Sequence, residues 1–459
     1  MNILYGLYQP DQGRIVLNGR GVTIASPRQA MEHGIGMVHQ QFMLVGPLTV
    51  TENVILGYQP AGMALSVKAH GRRLEEMSRS FGFEIDPHQP VWKLSVGMQQ
   101  RVEILKLLYR QTDILILDEP TSVLTPQEIQ PFFDVLRRFK AEGKTVIFIT
   151  HKLDEVMDIA DEITVMRAGR SVASLPIDEV DPRGLARLMV GRDVDLDFKS
   201  QEQVDGRAVF EMSGVSATDD RGLPALKDLS FQVRAGEVFG IAGVDGNGQA
   251  ELAEVITGLR QTTAGSIRVK GVEITGMSVE ERKTRARIGY VPADRQQGMV
   301  NDHTVAQNLV LRSFRREPFS SRGWLRFMAI EAHAADLTEE YNIRLRNVGQ
   351  SAVELSGGNQ QKVVIARELE GDLNVFVAHQ PTQGLDVGAT EFVQKTITRQ
   401  KKKASAIIYI STELEHLLAV ADTVAVLYGG RIACILPGSE ANREKVGVYM
   451  VGAHNQELG

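Results

Sequence analysis

Ile114-Leu115-Ile116-Leu117-Asp118-Glu119-Pro120-Thr121 sets four consecutive aliphatic side chains directly before two carboxylates. A short unbroken apolar run suits a strand buried on both faces of a parallel sheet. Its two acids then fall at the carboxyl edge of the sheet, where open α/β folds bind their ligands. Asp118 is the kind of group that holds Mg²⁺, a hard cation satisfied by one or two carboxylates and its own waters. Glu119 is the kind that takes a proton from a water attacking phosphorus. A pair of acids capping the following turn is the alternative. A second apolar run, Val146-Ile147-Phe148-Ile149, and helical patterns over Pro126 to Arg138 and Leu153 to Ala160 alternate with the first. Such alternation implies a mostly parallel sheet covered on both faces. His151 follows the second run, and an imidazole there can bond a γ-phosphate and the attacking water; a structural histidine is the alternative. Gln40 ends another apolar stretch, Gly36-Met37-Val38-His39-Gln40.

Outward from this strand the sequence repeats itself, which decides the organisation of the chain. Leu94-Ser95-Val96-Gly97-Met98-Gln99-Gln100-Arg101 aligns without a gap on Leu355-Ser356-Gly357-Gly358-Asn359-Gln360-Gln361-Lys362, 261 residues later. The same offset pairs Pro120-Thr121 with Pro381-Thr382, Gly169-Arg170 with Gly430-Arg431, and Met189-Val190-Gly191 with Met450-Val451-Gly452. Towards the N-terminus it drifts to 255 (Thr49, Val50 and Asn53 with Thr304, Val305 and Asn308) and to 252 (Gly6 and Gly13 with Gly258 and Gly265), as small loop insertions require. Two copies of one domain are therefore expected, joined by a polar seam.

The second copy contains a run that reads as a strand, a glycine-rich turn and a helix start. Glu237 to Ala242 leads into Gly243-Val244-Asp245-Gly246-Asn247-Gly248-Gln249-Ala250, followed by Leu252, Val255 and Ile256 at helical spacing. Glycines let backbone N–H groups close on phosphate oxygens, and the helix dipole favours the anion. The complete motif ends Gly-Lys-Ser/Thr, with the lysine on the phosphates and the hydroxyl on Mg²⁺. Here Gln249 and Ala250 stand in those places, so the cradle lacks its cation and its metal ligand; a glycine turn without a ligand is the alternative. At the acidic strand end the second copy reads Val377-Ala378-His379-Gln380-Pro381, with His379 for Asp118 and Gln380 for Glu119. An imidazole is a poor Mg²⁺ ligand and an amide cannot act as a base. Thr412 replaces His151, and Ala293 replaces Gln40. Four polar groups of copy one thus map onto four defective positions of copy two, which fits a division of labour better than drift.

Composition narrows the function classes. The 459 residues suffice for two domains, and 43% hydrophobic with 24% charged residues is ordinary for globular chains with sizeable cores. A formal charge of −6, with acids and bases mixed, gives no overall basic excess to suggest nucleic acid. Lys401-Lys402-Lys403 reads as a solvated helix end. The lone Cys434 rules out an internal disulfide and is compatible with a reducing compartment. No apolar run approaches the ~18 residues that cross a bilayer, and no secretory signal is visible. Work at a membrane would go through a partner.

Taken in order, Gln40, Leu94 to Gln100, Ile114 to Pro120 and His151 resemble the ABC ATPase domain, matching its glutamine loop, signature motif, Walker B strand and switch histidine. The likeness covers nearly the whole chain, twice. It implies an α/β fold of two tandem ABC-type P-loop NTPase domains, each a mainly parallel sheet core with a helical subdomain. The boundaries expected are domain one at 1–192, a linker at 193–207, a degenerate domain two at 208–453 and a tail at 454–459. A tandem chain with a degenerate second copy is similar to the ATP-binding subunits of simple-sugar and nucleoside importers. Val38-His39-Gln40, Gly243 to Gln249 and Gln380-Pro381-Thr382-Gln383-Gly384-Leu385-Asp386 are most similar to the nucleoside branch. In this family each nucleotide lies between the phosphate loop of one domain and the signature motif of the other. The resemblance implies ATP and Mg²⁺ as cofactors. It implies one competent composite site, in which catalytic Glu119, His151 and Gln40, with Asp118 and Gln40 on the metal, face Ser356, Gly357, Gly358 and Gln360. It implies a second, degenerate site of Gly243, Gly246, Asn247 and Gly248 with Ser95 and Gly97. Its partners would be two transmembrane permease subunits and, indirectly, an extracytoplasmic substrate-binding protein. Its place would be peripheral, on the cytoplasmic face of the plasma (inner) membrane. The stretch from about Phe314 to Arg344 falls in the helical subdomain that receives the permease's coupling helix in this family; a solvated insert is the alternative. The transported substrate is selected by the permease and the binding protein.

By the 252-residue offset the first copy's own phosphate loop falls before residue 1, and Met1 to Leu7 reads as the tail of the helix after it. The expectation is a first domain lacking its P-loop strand, through a misassigned start or a fragment, or through a real truncation that leaves a catalytically dead remnant. A soluble tandem ABC protein, such as a translation factor, is the other alternative. Those chains typically keep both catalytic sets and join them by a long charged helical linker, which this one does not.

Overall fold

A computed structural model describes residues 1–39, 43–57, 66–83, 85–94, 96–110, 112–121, 124, 126–167, 169–193 and 206–450. The chain divides into two compact units, Met1–Met189 and Val190–Gly459.

In the first unit the acidic run forms the strand Ile114–Asp118, flanked in parallel by Ile35–Val38 and Thr145–Ile149. Successive strand side chains point to opposite faces, and the burial follows that rule. Leu115 and Leu117 pack with Val102, Leu105, Phe133 and Leu136 of the helices Val96–Tyr109 and Pro126–Ala141. Ile116 points the other way, to Ile24, Ala30 and Met37. The helix expected over Leu153 to Ala160 runs Leu153–Ile159. Glu162–Arg167 and Arg170–Pro176 form a separate antiparallel pair.

The second unit has a six-stranded sheet in the order Ile288–Val291, Val375–His379, Ala406–Ser411, Val238–Ala242, Thr423–Tyr428, Arg431–Pro437. All neighbours are parallel except the last pair. Val238–Ala242, which leads into the glycine turn, is central and wholly buried. It joins Ala406–Ser411 to Thr423–Tyr428. The counterparts of those two strands in unit 1, Thr145–Ile149 and Glu162–Arg167, belong to different sheets, with no strand between them among the described residues. An antiparallel four-stranded sheet that includes Ala208–Thr218 and Pro224–Arg234 covers one face of the six-stranded sheet. Phe231 and Phe239 stack across this interface with centroids 4.9 Å apart and planes 6° apart, a geometry worth about 0.5–1.5 kcal/mol beyond simple burial. The opposite face holds the helices Gly357–Glu368 and Val387–Lys402, packed on Phe376 and Tyr409.

The repeat extends to individual hydrogen bonds. Thr49 and Glu52 form a capping box at the helix Val50–Ile55, and Thr304 and Gln307 form the same box at Val305–Leu309. Behind each box one buried asparagine holds the preceding turn. Asn53 Oδ1 accepts from Val45 N–H at 2.7 Å, and Asn308 Oδ1 from Val300 N–H at 2.9 Å. Met1 to Leu7 forms hydrogen-bonded turns rather than the regular helix expected there. Its exit nevertheless repeats the hydrogen bonds of a helix C-terminus. Gly6, at φ 77, donates to Ile3 and Leu7 to Asn2, as Gly258, at φ 83, donates to Val255 and Leu259 to Glu254. Glycine takes this left-handed position because it carries no Cβ penalty.

Candidate functional site

Asp118 ends its strand at the sheet's carboxyl edge, and the chain turns at Glu119. That residue adopts φ 47, a left-handed conformation uncommon outside glycine. The turn is held by Glu119 N–H, which donates to the Ile149 carbonyl of the next strand at 2.9 Å. The reversal swings the Glu119 side chain over the end of that strand, where its Oε1 lies 3.0 Å from His151 Nδ1. The two groups singled out for phosphoryl chemistry are therefore a hydrogen-bonded pair. Burial, and then the charge of Glu119, raise the Asp118 carboxyl above the usual carboxylate range. A cation beside Asp118 would offset both effects.

Thr121 and Glu155 fix the turn from below. Both are buried, and the threonine hydroxyl donates to the carboxylate at 2.7 Å. Lys152 Nζ lies 3.1 Å from the same carboxylate and donates to the Thr121 carbonyl at 3.2 Å. Glu155 and Lys152 were not singled out in the sequence; a charged pair three apart at a helix start reads as surface.

The second unit builds the same scaffold with altered chemistry. Gln380 repeats the left-handed turn at φ 50 and donates its N–H to the Ile410 carbonyl at 2.8 Å. Its amide bonds Thr412 twice, Nε2 to Oγ1 at 3.0 Å and Oε1 from N–H at 3.1 Å. Gln380–Thr412 thus occupies the place of Glu119–His151. His379, in the place of Asp118, is 7% exposed, and burial lowers its pKa to about 4. The supporting charges are exchanged as well: Glu413 and His416, 2.9 Å apart, stand where Lys152 and Glu155 stand, and Glu413 accepts from Thr382 at 2.7 Å.

The glycine turn forms as expected, with Gly246 at φ 87 and Gly248 at φ 108, and the helix Gln249–Thr257 begins directly behind it. A Cβ on Gly248 would stand 2.9 Å from the Ala225 carbonyl oxygen. Asn247 and Gln249 bond back into the turn itself. Ser356 N-caps the helix Gly357–Glu368, with Gly357 and Gly358 in its first turn; the hydroxyl accepts from Asn359 Nδ2 at 2.9 Å. Gln360 turns its amide back to the Ala352 carbonyl at 3.3 Å. Arg295, not singled out in the sequence, stands against these glycines. Its guanidinium fills the space in front of Gly357, where a Cβ would stand 2.5 Å from Nη1, and reaches towards Gly384. The available signal was a lone cation two residues past Ala293, the glutamine-loop counterpart. Gly97 lies in the first turn of the helix Val96–Tyr109. Gln40 and Ser95 lie outside the described residues. Among the described residues no helix is long and apolar enough to cross a membrane.

The ABC transporter family model matches residues 1–122 and 226–383. A nucleoside import ATP-binding protein of Lactococcus lactis is 42% identical over 459 residues, covering 100% of this chain and 90% of the relative. A guanosine import ATP-binding protein of Bacillus subtilis is 42% identical over 461 residues, with the same coverage of 100% and 90%. A glucose import ATP-binding protein of Haloferax volcanii is 41% identical over 484 residues, covering 98% of this chain and 88% of the relative. The two matched segments fall one in each copy of the repeat, and on that ground, with relatives aligned along its whole length, the chain belongs to the ABC transporter family as an ATPase with two ATP-binding cassettes in tandem.

Proposed function

We propose that this chain is the ATP-hydrolysing subunit of an importer for nucleosides or simple sugars, with one competent and one degenerate site. The observation that carries the reading is the Glu119–His151 pair, 3.0 Å apart at the end of the acidic strand, with Gln380–Thr412 in its place in the other copy. Glu119 takes a proton from the attacking water, and His151 donates to the γ-phosphate and keeps the carboxylate in register. Asp118, with Gln40, would hold Mg²⁺, which neutralises charge on the phosphates. Ser356, Gly357, Gly358 and Gln360 supply the amide face of a helix N-terminus to a γ-phosphate. The site built on Gly243, Gly246, Asn247 and Gly248 does not turn over, because Gln380 cannot act as a base.

The nucleoside reading draws support from two relatives at 42% identity, and the sugar reading from one at 41%. The chain would work at the cytoplasmic face of the inner membrane, bound to two permease subunits that receive substrate from an extracytoplasmic binding protein. The test is ATP hydrolysis and uptake by the assembled importer. Glu119→Gln is expected to lower both by about 10²-fold or more while ATP still binds, and Gln380→Ala to leave them within about threefold of the native rate. A Glu119→Gln importer that hydrolyses ATP at the native rate would sink the reading.

A further inference from the structure

The glycine turn of the second unit holds itself shut, and its meaning rests on the assignment of that turn to the degenerate site. In a phosphate cradle, successive backbone N–H groups converge on anionic oxygen. Here one of those groups is already taken: Asn247 N–H is shared between Gln249 Oε1 at 3.1 Å and the Val244 carbonyl at 3.3 Å. The other end of the same amide, Gln249 Nε2, donates to the Val244 carbonyl at 2.8 Å. Asn247 completes the closure, since its side-chain amide donates to Val244 O at 3.0 Å and its Oδ1 accepts from Gly429 N–H at 2.8 Å. Gln249 is 3% exposed, and its amide fills the space in front of Gly243.

Donor and acceptor counting shows why glutamine does this and lysine would not. An ammonium group has three donors and no acceptor. At position 249 it could reach Val244 O, but it would take away the shorter of the two acceptors of Asn247 N–H and leave only the 3.3 Å bond to Val244 O, which a phosphate oxygen could displace. A glutamine amide satisfies both groups at once. We propose that Gln249 is an internal substitute for a bound phosphate: its oxygen takes the place of a phosphate oxygen, its nitrogen that of the lysine, and the second loop is closed by the chain itself and takes no nucleoside triphosphate. Asp245 works in the same direction. It lies near the Gln380 amide, which Thr412 holds in place, and so puts an acid rather than a donor beside the cradle. The second unit then keeps one loop shape throughout the ATP cycle, and each chain exchanges nucleotide at a single site.

Hydrogen exchange of the full chain, read on peptides within 243–257 with and without Mg-ATP, tests this. In the native chain Asn247 N–H is expected to exchange slowly without nucleotide and to change by less than about twofold on adding Mg-ATP. Gln249→Ala removes both bonds and is expected to speed that exchange about tenfold without nucleotide. Gln249→Lys keeps the donor and loses the acceptor, so its Asn247 N–H should exchange as fast as in Gln249→Ala. A native loop that exchanges as fast as Gln249→Ala overturns the proposal. So does a native loop that gains protection from Mg-ATP, or a Gln249→Lys loop that stays as slow as the native one. The nucleotide-free arm does not depend on hydrolysis, so it reads the clasp even if Glu119→Gln defeats the functional reading.

Discussion

Acid should weaken the second unit through one residue, His379. The side chain ends a central strand, is 7% exposed, and burial holds its pKa at about 4, against an ordinary 6.5. Below pH 6.5 the unfolded chain takes up a proton that the folded chain refuses until about pH 4. Unfolding then binds a proton, and stability falls as pH falls through that window. The contribution is complete above pH 6.5, and at full extent its loss is roughly 3–4 kcal/mol, since the gap is about 2.5 pH units and each is worth about 1.4 kcal/mol. At pH 4.5 roughly 2–3 kcal/mol should already be gone. Carboxylates titrate over the same range, so the native chain must be compared with His379→Gln, which carries no titrating group at that position. Urea unfolding at pH 7 and pH 4.5, followed by pulsed hydrogen exchange on the peptide covering 375–379, isolates the second unit from the first. The native chain should lose roughly 2–3 kcal/mol more than the variant between the two pH values. Equal losses in both chains would refute the argument, because His379 would then be taking up its proton while folded, or exposed when folded.

Other substitutions probe the scaffold. Thr121→Val removes the hydroxyl from buried Glu155 and is expected to destabilise the first unit by about 1–3 kcal/mol, read by urea unfolding of that unit. Glu368→Gln breaks a buried cluster with Arg312 and Arg367, at 2.6 and 2.8 Å, and should cost the second unit about 3–5 kcal/mol; the same exchange measurement on 375–379 checks it. Gly258→Ala forces a Cβ into a left-handed turn at φ 83 and within 3.0 Å of Arg282 Cδ, so it should lower stability by about 1 kcal/mol or more. Arg295→Ala should raise the KM for ATP of the assembled importer several-fold with little change in KM for the transported substrate, since the guanidinium sits against Gly357 at the helix start.

Much of this molecule was legible because its information is local. Four aliphatics before two acids make a buried strand wherever they occur, and glycines at fixed offsets announce a turn whose backbone only they adopt readily. The repeat placed Gln380 opposite Glu119 and Thr412 opposite His151 by counting alone, and the structure bonds Glu119 to His151 in the first unit and Gln380 to Thr412 in the second. Other features depend on which atoms meet after the chain has folded. The left-handed turn at Glu119 is set by a bond to Ile149 from a neighbouring strand. The exchange of Lys152 and Glu155 for Glu413 and His416 has sense only around the buried hydroxyls of Thr121 and Thr382. From its letter, Gln249 was a lysine lost; its clasp on Asn247 and Val244 emerges only when the turn is closed and its donors and acceptors are counted in space. Periodicity and spacing determine which face a residue takes, whereas the partner of a buried polar group is chosen by tertiary packing, which must satisfy it or leave the cost unmet.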